Sequence, residues 1–228
     1  MTEPGFSAVV FQIGPLAVTT TVVTTWGIML ALGVTCWALT RRLVLDPGPT
    51  QTAVEGIVST MEDAISEVMP EDAAVILPFI GTLWVFIVVA NLIGIVPGLQ
   101  SPTADLSTTA ALAVLVFLSV HAFGVRIQGV KAYLAHYVQP NPVLLPFHIV
   151  SEITRTLALA VRLFGNIMSL EFTALLVLLV AGFLVPVPIL MLHIVEALVQ
   201  AYIFGMLALV YIGGAIQSRN PDHSSREA

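Results

Sequence analysis

The chain has 228 residues, of which 57% are hydrophobic and 10% charged, and its mean hydropathy is +0.98. Soluble domains carry about 25% charged residues, so this composition excludes a soluble globular protein and leaves no polar stretch from which a separate soluble domain could be built. The net charge of −6 and the lack of a basic patch argue against a nucleic-acid partner. The single cysteine, Cys36, lies in an apolar run; it cannot form an internal disulfide and reads as a small buried or lipid-facing hydrophobe.

In chain order, residues 1–20 contain no Lys or Arg, so the basic start of a cleavable signal is missing. The first apolar run, 20–40, is followed by Arg41-Arg42, the pattern of a span whose N-terminus lies outside. Segment 50–70 places Val54, Ile57, Val58, Met61, Ile65 and Val68 at helical spacing, with Glu55, Glu62, Asp63 and Glu67 between them. That is an amphipathic helix, expected along the cytoplasmic surface or against a partner. Pro70 and Pro78 punctuate the entry to a second span at 74–96, and a third follows at 106–125. Two longer apolar stretches, 147–180 and 187–216, complete the set, and the polar tail 217–228 is expected to be disordered, with His223 a solvated side chain. The fold expected is an all-α polytopic membrane protein, a single membrane domain over 1–228, with five transmembrane helices and one amphipathic interfacial helix. Arg41, Arg42, Arg126, Lys131, Arg219 and Arg226 then all fall in cytoplasmic segments, and 1–19, 97–105 and 181–186 carry no basic residue. The positive-inside rule therefore predicts an outside N-terminus and a cytoplasmic C-terminus.

The fourth stretch, about 34 residues at 1.5 Å each, would be roughly 51 Å long, far more than the ~30 Å of hydrocarbon. The fifth is nearly as long. The pair is predicted to form a tilted hairpin shaped to lie against something curved. Within it stands Arg162, surrounded by apolar residues. A guanidinium does not neutralise itself, because its pKa exceeds about 12, and a charge at mid-bilayer costs roughly 2.5–3.5 kcal/mol on insertion scales. Arg155, Arg162, Asn166 and Ser169 share one helical stripe, whereas Glu171 points to roughly the opposite face and further outward. On the last helix His193, Glu196 and Gln200 share a stripe. Titratable groups thus gather in the outer half of the membrane, as a water-lined half-channel ending near Arg162 would require. No carboxylate of the chain is placed to match Arg162, so a partner subunit is expected to supply one.

Plainer roles compete with these. Arg162 could be an ion-pair residue within the bundle, Glu171 a clamp to His193 or Glu196, and Asn166 interhelical hydrogen-bond glue. Arg155 could snorkel to the cytoplasmic interface, and His121, His136 and His148 fall near predicted interfaces with no special task. Asp105 reads either as a helix-start residue or as a channel-mouth carboxylate. His193-x-x-Glu196 has no third ligand, so neither a metal nor a cofactor is expected.

Four motifs resemble the subunit a family of rotary (F-type) ATP synthases. They are Leu159-Ala160-Val161-Arg162-Leu163-Phe164-Gly165-Asn166 with Glu171, Gln200-Ala201-Tyr202-Ile203-Phe204, Asn91-Leu92-Ile93-Gly94-Ile95-Val96-Pro97-Gly98, and Ser101-Pro102-Thr103-Ala104-Asp105-Leu106. The resemblance covers roughly 74–216. It implies a non-catalytic, ion-translocating membrane stator in the bacterial inner membrane, working with a ring of c subunits, peripheral-stalk b subunits and a soluble ATPase head. It implies that Arg162 faces the ring, and that Asn166, Glu171, His193, Glu196 and Gln200 lie along the path of a proton or sodium ion. Glu152 and Arg155 depart from the family pattern, and the amphipathic helix is unusually acidic; both suggest a divergent branch, of the sodium-type complexes encoded beside a proton enzyme. A stand-alone secondary transporter whose arginine binds an anion is the other functional class, but inverted repeats and paired broken helices are not evident. An intramembrane enzyme would need a nucleophile–base pair that the chain does not offer.

Overall fold

The computed structural model describes residues 9–13, 16–41, 43–45, 47–96, 99–130, 145–181 and 186–217. His136, Arg42, Lys131, the segment 182–185 and the tail from 218, with His223, Arg219 and Arg226, lie outside them. Two short strands, β1 (Val9–Ile13) and β2 (Leu16–Thr19), pair antiparallel and lead into helix α1 (Thr20–Thr40). This hairpin was not expected; its apolar residues are too few to stand out against the spans that follow. Helices α2 (Pro49–Val68), α3 (Ala73–Leu92), α4 (Leu106–Gln128), α5 (Leu145–Ala181) and α6 (Pro186–Gln217) follow among the described residues. Among the described residues five helices, all but α2, are long and apolar enough to cross a membrane.

At 37 and 32 residues, α5 and α6 would measure about 55 and 48 Å. Both exceed the hydrocarbon thickness, so they tilt or project beyond it. Helix α2 buries Ile65 and leaves Val54, Met61 and Val68 half-buried, yet Ile57 and Val58 stay exposed beside Glu55, Glu62 and Asp63. Only the second half of its apolar stripe is therefore satisfied by this chain, packing on α3.

The core joins α3 to α6, with α4 and α5 around them. Ile76, Ile80, Trp84 and Ile87 of α3 meet Ala201, Phe204, Ala208 and Ile212 of α6, and Val116, Leu159 and Leu163 close the cluster. Lipid tails are as apolar as leucine, so close van der Waals packing rather than transfer from water holds such helices together, and small residues let them approach. Gly205 is the extreme case. A Cβ there would fall within 2.6 Å of Trp84 Cε2, while the indole N–H donates to the Tyr202 carbonyl at 3.3 Å and the two rings stack with centroids 5.9 Å apart.

The helix ends are tied to one another. Gln128 Nε2 donates to the Ala215 and Ile216 carbonyls, at 2.6 and 2.9 Å. Met69 packs against Gly213. At the other end α3 finishes in a short 3-10 turn, Ile93–Ile95, and a second turn, Pro102–Ala104, leads to α4.

Candidate functional site

Arg162 lies on the exposed face of α5, beside exposed Val161, Gly165 and Ser169, while Leu159, Leu163, Ile167 and Leu170 are buried against the bundle. Among the described residues it makes no ion pair or hydrogen bond. The internal ion-pair role is thus not the one that this geometry supports. A permanent cation on an outward face of a span must meet either hydrocarbon, at the cost given above, or an anion carried by another subunit.

One turn further along α5, Asn166 Nδ2 donates to Gln200 Oε1 of α6 at 2.6 Å. Gln200 is 2% exposed, and its Nε2 is buried with no partner among the described residues. A lone amide donor in a membrane interior costs several kcal/mol, so this atom is suited to hold a water or a passing ligand.

Beyond that pair a dense polar layer joins α3, α5, α6 and the segment before α4. Asn91 is fully buried. Its Nδ2 donates to the Ala197 carbonyl at 3.3 Å, and its Oδ1 accepts from the Thr103 hydroxyl at 2.6 Å. The Ser101 hydroxyl donates to the Ala90 carbonyl at 2.8 Å. His193 Nε2 lies 3.2 Å from the Asn91 carbonyl; a carbonyl can only accept, so Nε2 carries the hydrogen and Nδ1 is the nitrogen left to take a proton. Glu171 reaches the same layer: its Oε1 lies 3.1 Å from where a Cβ of Gly94 would be, buried and without a hydrogen-bond partner. His193 is within electrostatic reach of both Glu171 and Glu196. The structure thus gathers Glu171 and Glu196 around the His193 imidazole and places Asn166–Gln200 between them and Arg162.

Asp105 is the N-cap of α4: its Oδ1 accepts from the Ser107 amide at 2.9 Å and from the Ser107 hydroxyl. The helix-start reading is therefore realised in the geometry. The exposed Arg155 guanidinium lies 5.3 Å from the Tyr211 ring centroid, within cation–π range. No group of three or more His, Cys, Asp and Glu among the described residues is placed to hold a metal.

Asn91, Ser101 and Thr103 were not singled out as site residues, although Asn91 is a polar residue inside an apolar span, the signal by which it could have been found. Replacing Asn91 with Leu should remove the donor to Ala197 and orphan the Thr103 hydroxyl. The expected cost is about 1–3 kcal/mol, read as a lower thermal midpoint of the detergent-solubilised protein. Asn91→Asp keeps an acceptor for Thr103 but turns an oxygen on the Ala197 carbonyl and buries an acidic group, so it should lose at least as much.

A family model described as "ATP synthase A chain" matches residues 22–213. The chain is 65% identical over 217 residues to "ATP synthase subunit a 2" of Pelobacter propionicus, covering 95% of each chain. It is 60% identical over 220 residues to "ATP synthase subunit a" of Legionella pneumophila, covering 96% of each. To "ATP synthase subunit a 1" of Hahella chejuensis it is 64% identical over 206 residues, covering 90% of this chain and 88% of the relative. With this match over most of its length, and an exposed cation mid-span beside a buried ladder of titratable groups, the chain belongs to the ATP synthase A chain family, the membrane stators that act in ion translocation.

Proposed function

We propose that Arg162 is the stator charge that meets a carboxylate on a rotating ring of c subunits, and that Glu171, His193, Glu196, Gln200 and Asn166 form the access path from outside to that point. The observation that carries this reading is the exposure of Arg162 with no described partner, one turn from the buried Asn166–Gln200 pair. The positive-inside pattern supports an outside N-terminus, which puts the Asn91–Glu171–His193 layer in the outer half of the membrane. Peripheral-stalk b subunits and a soluble ATPase head complete the assembly, and Asp105, at the start of α4, stands near the mouth of the path.

The mechanism is electrostatic. A ring carboxylate can face lipid only when neutralised by a bound proton or sodium ion. Opposite Arg162 it is better stabilised as an anion and releases its ion. Once past, it reloads from the other side. Arg162 also divides the two access paths, because a bare cation reaching it meets a positive charge in a medium of low dielectric. One elementary charge crossing 100 mV supplies about 2.3 kcal/mol, so several ions must pass for each ATP made.

Affinity isolation of the tagged chain from native membranes tests the assembly. Co-isolation with a ring of small hairpin proteins and a soluble ATPase, in a complex that pumps ions on adding ATP, is the expected result. An isolated oligomer of this chain that transports an anionic solute by itself would favour the secondary-transporter class.

A further inference from the structure

Gly94 belongs to the short 3-10 turn, Ile93–Ile95, that ends α3. The backbone does not require a glycine there. Among the described residues only Gly129 has a positive φ, so any L-residue could adopt the conformation of this turn. What Gly94 lacks is a side chain, and the space that one would take is already filled. A Cβ at Gly94 would lie 3.1 Å from Glu171 Oε1, 3.1 Å from Ser101 Cβ and 3.5 Å from the Ser101 nitrogen. The carboxylate of α5 therefore rests against bare backbone at the end of α3.

Two of the three surfaces that meet here are fixed. The Ser101 hydroxyl donates to the Ala90 carbonyl at 2.8 Å and lies 2.7 Å from the Thr103 hydroxyl. The end of α3 is held through Asn91, whose Nδ2 donates to the Ala197 carbonyl and whose own carbonyl accepts from His193 Nε2. The third surface, the Glu171 carboxyl, is the end of a long side chain with several rotatable bonds. Its Oε1 has no hydrogen-bond partner among the described residues, so the shape of the wall, not a bond, sets where that oxygen sits. A side chain at 94 would move the carboxyl and leave the other two in place. His193 is within electrostatic reach of that carboxyl. Asn166, bonded to Gln200, stands five residues back along α5, about 7.5 Å along the axis.

We propose that Gly94 is a positioning residue for ion transfer: its missing side chain is the seat that fixes the Glu171 carboxyl beside His193, and a side chain there shifts that carboxyl out of line with Asn166 and Gln200. The inference rests on the reading of Glu171 as an ion-path residue given above. Gly94 itself meets no ion; it acts only through Glu171.

The test uses the complete complex in proteoliposomes. ATP synthesis, expressed per assembled complex, is followed against the ion concentration on the Glu171 side. Gly94→Ala requires the carboxyl to give by a few tenths of an ångström, and Gly94→Val reaches further into its place. The ion concentration for half-maximal synthesis should rise about threefold in the first and about tenfold in the second, the effect of misplacing a transferring group. The rate at saturating ion should change much less. Glu171→Asp shortens the side chain by one methylene and draws the carboxyl back from residue 94. Alone it should impair synthesis; combined with Gly94→Val it should bring the ion dependence back towards that of the wild type. A role in packing alone would give additive losses and a lower thermal midpoint instead. Wild-type ion dependence in assembled Gly94→Val, or no gain from adding Glu171→Asp, would overturn the proposal and leave Gly94 as a spacer against Ser101. If Gly94→Val does not assemble, Gly94→Ala decides by the same two criteria. Failure of the underlying reading looks different: Glu171→Gln would then synthesise ATP at the wild-type rate, whatever Gly94→Val does.

Discussion

Replacing Arg162 with Ala should abolish ion-driven ATP synthesis, by at least about a hundredfold, or about 2.8 kcal/mol, while the complex still assembles. Assembly should survive because the side chain is exposed and contributes no described contact to the bundle. Two further readouts separate the proposed role from a structural one. Passive ion flux through the membrane sector should rise, because the charge that keeps the two access paths apart is gone. ATP hydrolysis should continue without pumping. Arg162→Lys should also be defective: an ammonium lacks the planar fork that meets a carboxylate with two hydrogen bonds, and it gives up its proton far more readily when desolvated. Synthesis assays in proteoliposomes under an imposed ion gradient, with the amount of assembled complex measured in parallel, check all of these outcomes.

The second large effect is expected at Gly205, far from any charge. A methyl there would overlap the indole of Trp84. Trp84 has little room to give, since it is 5% exposed, stacked on Tyr202 and hydrogen-bonded to the Tyr202 carbonyl. Overpacking of this kind costs about 1–3 kcal/mol, and a larger side chain should cost more. Gly205→Ala should lower the thermal midpoint of the solubilised complex, and Gly205→Leu should prevent assembly. The consequence reaches the site because Gln200 lies five residues earlier on α6; forcing α3 and α6 apart would shift Gln200 against Asn166. A double-mutant cycle is the check. Trp84→Ala opens the space that the added methyl needs, so Gly205→Ala should be much less damaging in that background. Additive losses would show that the close approach is not the cause.

The span architecture was legible because a bilayer imposes a simple rule: long apolar runs, with basic residues at one set of ends. Arg162 was legible for the same reason, as a charge that contradicts its surroundings. The excess length of α5 and α6 could also be read directly. What the sequence did not display was partnership across distance. His121 and Glu152 are separated by many residues and two helix faces, and each alone resembles an interfacial polar side chain; only the packing of α4 on α5 makes them a pair. The contact of Arg155 with the Tyr211 ring likewise depends on α6, which the spacing within α5 cannot place. Gly205 gave no sign in the sequence, since a glycine inside an apolar helix is common and its meaning depends on the tryptophan opposite. Asn91 stood in a recognised motif, but its bonds run to Ala197 and Thr103, on elements that periodicity within one helix cannot locate.

The exposed stripe of α5 around Arg162 is the feature on which the whole account turns, and proximity labelling tests it most directly. A photo-reactive amino acid placed at exposed Val161 or Gly165 in the native membrane should cross-link to a small ring subunit, at a position adjacent to that subunit's membrane carboxylate, while the same probe at exposed Leu30 of α1 should not. Cross-links from Val161 and Gly165 to lipid alone would contradict the account, since Arg162 would then face hydrocarbon with no partner charge.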